Sequence, residues 1–214
     1  MVKTQKAFEI YKRTIDLIGS SLILIITSPL FLIIALAIKI SSPGPVFFKQ
    51  KRAGKNHQEF LMYKFRTMYT GNNDERLRKN YPHLWKKYKA NGWKLPMAED
   101  PRITPVGRIL RFFSIDELPQ LINILKGEMS LVGPRAYREE ELEEYEKKFP
   151  HTQKYIEDIR SVRPGLSGVW QTSGRNELPF EKRAKLDSDY VRHRSFRQEI
   201  LILLKTPFSM ISRW

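Results

Sequence analysis

Asp116 and Glu117 are adjacent carboxylates in the stretch Ser114-Ile115-Asp116-Glu117-Leu118-Pro119-Gln120-Leu121-Ile122-Asn123. Leu118, Leu121, Ile122 and Leu125 recur at helical spacing. The pattern predicts an amphipathic helix with Asp116, Gln120 and Asn123 on its opposite face and Gly127 as its stop. Ser114 with Glu117 fits a capping box; equally, Asp116 is the cap and Pro119 lies in the first turn. Both placements set two acids at a helix start, where the dipole favours their ionised forms. An ionised aspartate can act as a nucleophile. The bland alternative is that the acids only cap the helix.

Four arginines stand on turns or at segment ends: Arg111, Arg135 in Gly133-Pro134-Arg135, Arg163 in Arg163-Pro164-Gly165, and Arg175 in Ser173-Gly174-Arg175-Asn176. Each taken alone is a surface charge by default. As a set they suit phosphate, which guanidinium binds with two parallel hydrogen bonds. A carboxylate approaching a diphosphate is repelled, so a hard divalent cation is expected, and Mg²⁺ fits an oxygen donor set. No Walker-type or GxGxxG loop is present, and the four histidines are scattered.

The elements that must position these groups begin with Leu17 to Ile38, which carries no charge and is long enough to cross a bilayer, a span of ~20 apolar residues. Ser28-Pro29 lies near its middle, where proline removes a backbone donor. Lys3, Lys6, Lys12 and Arg13 precede it, and Lys39, Lys49, Lys51, Arg52 and Lys55 follow. Positive flanks prefer the cytoplasmic side. A segment with two such flanks either spans as a kinked helix or enters and returns. Val46 to Gln50 and Phe60 to Thr67 read as two strands joined around Gly54-Lys55-Asn56-His57. Tyr63 and Phe65 alternate there with Lys64 and Arg66, and Lys64 is either a solvated strand charge or a substrate contact. Tyr81 to Tyr88 and Trp93-Lys94 mix rings with lysines, which suits a membrane interface and equally the stacking of single-stranded nucleic acid.

The 214 residues carry 38 Lys+Arg against 23 Asp+Glu, a formal net charge of +15. That excess suits anionic lipid, phosphate-bearing substrates or nucleic acid. The uncharged N-terminal segment favours the membrane over nucleic acid, so no nucleic-acid partner is expected. There is no cysteine, hence no disulfide framework.

Ser114 to Asn123, the continuation Leu125-Lys126-Gly127-Glu128-Met129-Ser130-Leu131-Val132-Gly133-Pro134-Arg135, and Arg163 to Gln171 together resemble the bacterial sugar transferases. Within these, the chain is similar to the monotopic polyprenyl-phosphate phosphoglycosyl transferases. Lys64-Phe65-Arg66-Thr67-Met68 matches as well. His57 stands where the family usually has glycine, and Ala136 where it generally has proline. The resemblance implies a mainly helical α+β membrane-associated domain with a re-entrant helix hairpin broken at Ser28-Pro29, amphipathic interfacial helices and a small antiparallel sheet. Residues 1–42 form the anchor and 43–214 the catalytic domain, at the cytoplasmic face of the inner membrane. It implies transfer of a sugar-1-phosphate from a UDP-sugar to a polyprenyl (undecaprenyl) phosphate with release of UMP, a first membrane step of exopolysaccharide, O-antigen or glycoprotein glycan synthesis. Asp116 is carried over as the nucleophile on the β-phosphorus and Glu117 as its partner, in metal binding or as a base. Mg²⁺ is then held by Asp116 and Glu117. Arg111, Arg135 and Arg175 are carried over as phosphate ligands, with Arg163 and Lys64 beside them and Gln171 and Asn176 as weaker contacts. The interfacial surfaces allow a homodimer. The rival from another class is a non-catalytic, basic membrane-tethered binding or scaffold protein, which explains the charge but not the ordered motifs.

Overall fold

The computed structural model describes residues 2–90, 95–173 and 178–209. Ten helices and four short strands lie along these residues. The first helix, α1 (Val2–Ser41), includes Pro29 and is assigned as helix throughout. It is long and apolar enough to cross a membrane from Ala7 to Ser41 by length and composition. Ile25, Ile26, Leu32, Ile33 and Ile40 along it are exposed.

The chain divides into two compact units. One is drawn from Met1–Thr27, Lys49–Tyr63 and Pro119–Ser209, the other from Ser28–Phe48 and Lys64–Leu118. The division passes through α1 between Thr27 and Ser28.

Strands β1 (Phe47–Ala53) and β2 (Glu59–Phe65) pair as the small antiparallel sheet. At the turn between them Asn56 and His57 both take positive φ, 54° and 61°. His57 therefore adopts the left-handed conformation that glycine enters without steric cost. A second two-stranded sheet, absent from the sequence reading, joins β3 (Ser130–Val132) to β4 (Gly165–Ser167) in parallel. Ser130 and Met129 sit in a run read as motif rather than strand, and three residues give too short a pattern to count.

In the first unit a core of Ala53, Tyr137, Leu142, Ile156, Ile159, Phe180 and Ala184 gathers α6 (Glu139–Lys148), α7 (Gln153–Arg160) and α9 (Phe180–Arg192). Helix α5 (Gln120–Lys126) ends at Gly127 with φ 84°, the expected stop. Its terminal carbonyls are closed by guanidinium: Arg13 donates to the oxygens of Ile124 and Leu125 at 2.6 and 2.9 Å, and Arg163 to that of Gly127 at 2.7 Å. Cations at a helix C-terminus are favoured by its dipole. Lys12 is buried as well, 2.5 Å from Glu199 and 2.9 Å from the Val132 oxygen. Asp16 accepts from Ser130 Oγ at 3.0 Å and Leu131 N at 2.9 Å. Lys12 and Arg13, read as part of a membrane flank, thus lock this part of α1 into the first unit. Fully buried Asn123 donates to the Leu61 oxygen at 2.8 Å and accepts from Tyr63 N at 3.0 Å, pinning β2.

In the second unit Ile34, Ile38, Phe65 and Leu110 form the core, with Phe31, Val46, Ile115 and Leu118 against it. Helix α4 (Pro105–Phe112) starts with Thr104 accepting from Gly107 N at 2.9 Å and proline in the first turn. A Cβ on Gly107 would lie 2.1 Å from the Thr67 oxygen, so only glycine permits this approach. Ile109, Phe112 and Phe113 leave an apolar surface exposed.

Candidate active site

The motif Lys64-Phe65-Arg66-Thr67-Met68 builds the site in the second unit. Phe65 is core. Buried Arg66 donates to the oxygens of Ser42, Pro43 and Ile38 at 2.7, 2.7 and 3.3 Å, capping the end of α1. Thr67 Oγ1 accepts from Arg111 Nε at 2.9 Å, which fixes the guanidinium at the end of α4. Lys64 Nζ lies 2.6 Å from Glu117 Oε1. The lysine is therefore no free strand charge: it reaches across 53 residues of sequence to the acidic pair.

Asp116 and Glu117 lie in a 3₁₀ turn, Ile115–Glu117, and not in the first turn of α5, which begins at Gln120. Ser114 precedes the turn with φ 54° and makes no side-chain cap bond, and Pro119 stands at the start of α5. Neither capping arrangement expected from the sequence forms. A single short turn also brings little aligned dipole. Asp116 is buried, and burial pushes its carboxyl up to about 6. Lys64 and Arg111 oppose that rise, and the negative charge of Glu117 adds to it. Desolvation wins over the dipole, opposite to the sequence expectation. Burial also lowers the Arg111 pKa, with Asp116 and Asp100 acting against it; guanidinium stays charged regardless.

This cluster of one buried aspartate, one half-exposed glutamate and two cations can aim an oxygen nucleophile and hold phosphate charge. No group of three or more His, Cys, Asp and Glu among the described residues is placed to hold a metal ion. The neighbouring carboxylates of Asp116 and Glu117 still fit Mg²⁺, which takes oxygen ligands, keeps waters and commonly uses one or two carboxylates beside substrate phosphates.

Of the other expected residues, Arg135, Arg163 and Gln171 belong to the first unit. Arg135 stacks on Trp170 with its guanidinium carbon 4.8 Å from the ring centroid, and Asp187 accepts from its backbone N–H at 3.1 Å. Arg163 is committed to the Gly127 carbonyl. Gln171 lies in the short helix α8 (Val169–Thr172). Arg175 and Asn176 lie outside the described residues. The sequence reading missed Thr67 and Trp170, although each sits inside a quoted motif, and Arg183 and Asp187, which no local pattern marks.

The model of the bacterial sugar transferase family matches residues 7–213. The chain belongs to this family. It is a transferase. As a bacterial sugar transferase it is 41% identical over 206 residues to the exopolysaccharide production protein ExoY of Rhizobium meliloti (strain 1021), covering 94% of this chain and 86% of that protein. It is 36% identical over 213 residues to the UDP-glucose:undecaprenyl-phosphate glucose-1-phosphate transferase of Caulobacter vibrioides, covering 96% and 72%. The undecaprenyl-phosphate galactose phosphotransferase of Salmonella typhimurium is 38% identical over 208 residues, 94% of this chain but 40% of that longer protein.

Proposed function

We propose that this sugar transferase moves a sugar-1-phosphate from a UDP-sugar to a polyprenyl phosphate such as undecaprenyl phosphate at the cytoplasmic face of the inner membrane. The observation that carries the reading is the grouping of buried Asp116 with Glu117, Lys64 and Arg111. The names of the relatives, which specify undecaprenyl phosphate and UDP-glucose, support the substrates. An Asp116 carboxylate oxygen attacks the β-phosphorus, and the bond from that phosphorus to the bridging oxygen breaks. The bridging oxygen leaves with UMP. A phosphate oxygen of the polyprenyl phosphate then attacks the same phosphorus and frees Asp116, giving a polyprenyl-diphosphate sugar.

Arg111, held by Thr67, faces developing phosphate charge; Arg135 is proposed to bind a substrate phosphate. Burial raises the pKa of Asp116, and the charges of Lys64 and Glu117 act on it in opposite directions. Asp116 and Glu117 would hold Mg²⁺, which supplies charge neutralisation and polarisation of the phosphorus when bound. A soluble donor and a bilayer-confined acceptor meet only at the interface. The apolar faces of α1 and α4 suit that place, with residues 1–42 as a re-entrant anchor and 43–214 as the catalytic part. Mixing the protein with a panel of UDP-sugars and polyprenyl phosphate tests the activity. Sustained UMP release with one sugar, dependent on the acceptor, is expected. No release from any UDP-sugar would leave a non-catalytic scaffold.

A further inference from the structure

The first unit holds a second group of cations, of which the transfer scheme uses only Arg135. Arg183, on α9, is 6% exposed, and Trp170, on α8, is 5% exposed. The guanidinium carbons of Arg135 and Arg183 lie 4.8 and 5.9 Å from the centre of the Trp170 ring. Neither arginine forms an ion pair among the described residues. Buried Nε and Nη1 of Arg183, Nε of Arg135 and Nε1 of Trp170 have no hydrogen-bond partner among those residues. Fully buried Asp187 accepts from the Arg135 backbone, and its Oδ1 is unpartnered. Two guanidiniums therefore share one carboxylate in a nearly dry place, with donors in excess over acceptors. An indole face steadies a guanidinium but offers no acceptor to its N–H edge. Uncompensated buried charge is strongly unfavourable, and an anion relieves it.

We propose that Arg183 joins Arg135 in binding one phosphate group of a phosphate-bearing substrate, with Trp170 as the platform on which both guanidiniums stack. The choice of phosphate over another anion rests on the transfer proposed above. The cavity beside Arg135 and Tyr137, about 10 Å³, has room for a single water at most, so the phosphate does not enter there. It meets the half-buried Arg135 from the surface, and Arg183 turns its N–H edge to join; no hydrogen bond among the described residues holds Arg183 back. Arginine is required because lysine cannot both stack and present a planar fork.

The test titrates the full-length protein in detergent with inorganic pyrophosphate, following tryptophan fluorescence and heat. A saturable fluorescence change that Trp170→Phe abolishes is expected, as is a loss of affinity of at least about tenfold in Arg183→Lys. If Arg183→Lys fails to fold, Arg183→Met, which keeps the bulk, takes its place. The readout is binding and not turnover, so this site can stand if Asp116 proves not to be the nucleophile. Repeating the titration with UDP and with polyprenyl phosphate separates the sources: the ligand whose affinity drops in Arg183→Lys carries the phosphate. Wild-type affinity of Arg183→Lys for all three ligands would overturn the proposal and leave Arg183 a packing residue.

Discussion

Around Asp116 the cations have protein partners: Lys64 sits 2.6 Å from Glu117 and Arg111 is held by Thr67 at 2.9 Å. Around Trp170 they do not: Arg135 and Arg183 stack on an indole, and buried N–H groups of both point at no acceptor among the described residues. Both regions carry two cations and at least one buried carboxylate, so composition does not separate them. The difference lies in what answers the charge. A paired, hydrogen-bonded group is rigid and tunes its aspartate before substrate arrives. A group with excess donors keeps its stabilisation for an incoming anion.

The largest expected effect tests the paired region. Arg111→Lys keeps the charge but loses the fork and the Thr67 contact, and kcat/KM should fall by about 10²–10³-fold, or ~3–4 kcal/mol of transition-state stabilisation. Steady-state UMP release measures it, and a wild-type rate would make Arg111 a surface charge.

Stability sharpens the contrast next. Arg66 satisfies three carbonyls in the second unit. Arg66→Met orphans the Ser42 oxygen, while Ile38 and Pro43 keep donors from Ser42 N, Ser41 Oγ and Thr70 Oγ1, and should cost about 2 kcal/mol. Arg183→Met removes a buried cation with unpartnered N–H groups and should leave stability unchanged or raise it by about 1 kcal/mol. Thermal unfolding of both variants measures the difference. An equal loss in both would erase the distinction between the two regions.

The smallest effect is a shift in pH dependence. Asp116 has a folded pKa of about 6 against an ordinary 3.8. Its nucleophilic form therefore accumulates as pH rises through about 6, where the acid limb of kcat/KM should fall. The sign for stability is opposite. The raised pKa favours the protonated folded state, a contribution complete below the usual carboxylate range and lost as pH rises through about 6. Lys64 opposes the rise, so Lys64→Met should move the acid limb to higher pH. An unmoved limb would detach Lys64 from Asp116.

Much of the second unit's chemistry was legible in the sequence. The Asp-Glu pair, the uncharged run from Leu17 and the motif from Lys64 to Met68 are all contiguous, and contiguous patterns are what spacing can read. Lys64 could not be matched to Glu117, because nothing local links residues 53 apart. Lys12 and Arg13 read as flank because their partners, Glu199 and the carbonyls of Ile124 and Leu125, come from distant segments. Asn123 was given to a polar face although it is buried, since a side chain that satisfies β2 looks like one that meets water. Ser114 carries no sign of its positive φ, so the acids were placed on the helix rather than in the turn before it. Arg183 sits in an ordinary charged helix, and only the fold brings it to Trp170.

The most direct test of the account is the covalent intermediate on Asp116. Wild-type protein is incubated with its UDP-sugar and no acceptor, quenched in acid and examined by intact mass and peptide mapping. A phosphosugar adduct on Asp116 is expected, with at most about one UMP released per active site. Asp116→Asn should fold, form no adduct and release no UMP. An adduct on another residue, or full turnover by Asp116→Asn, would contradict it and reduce Asp116 to a buried carboxyl in a turn.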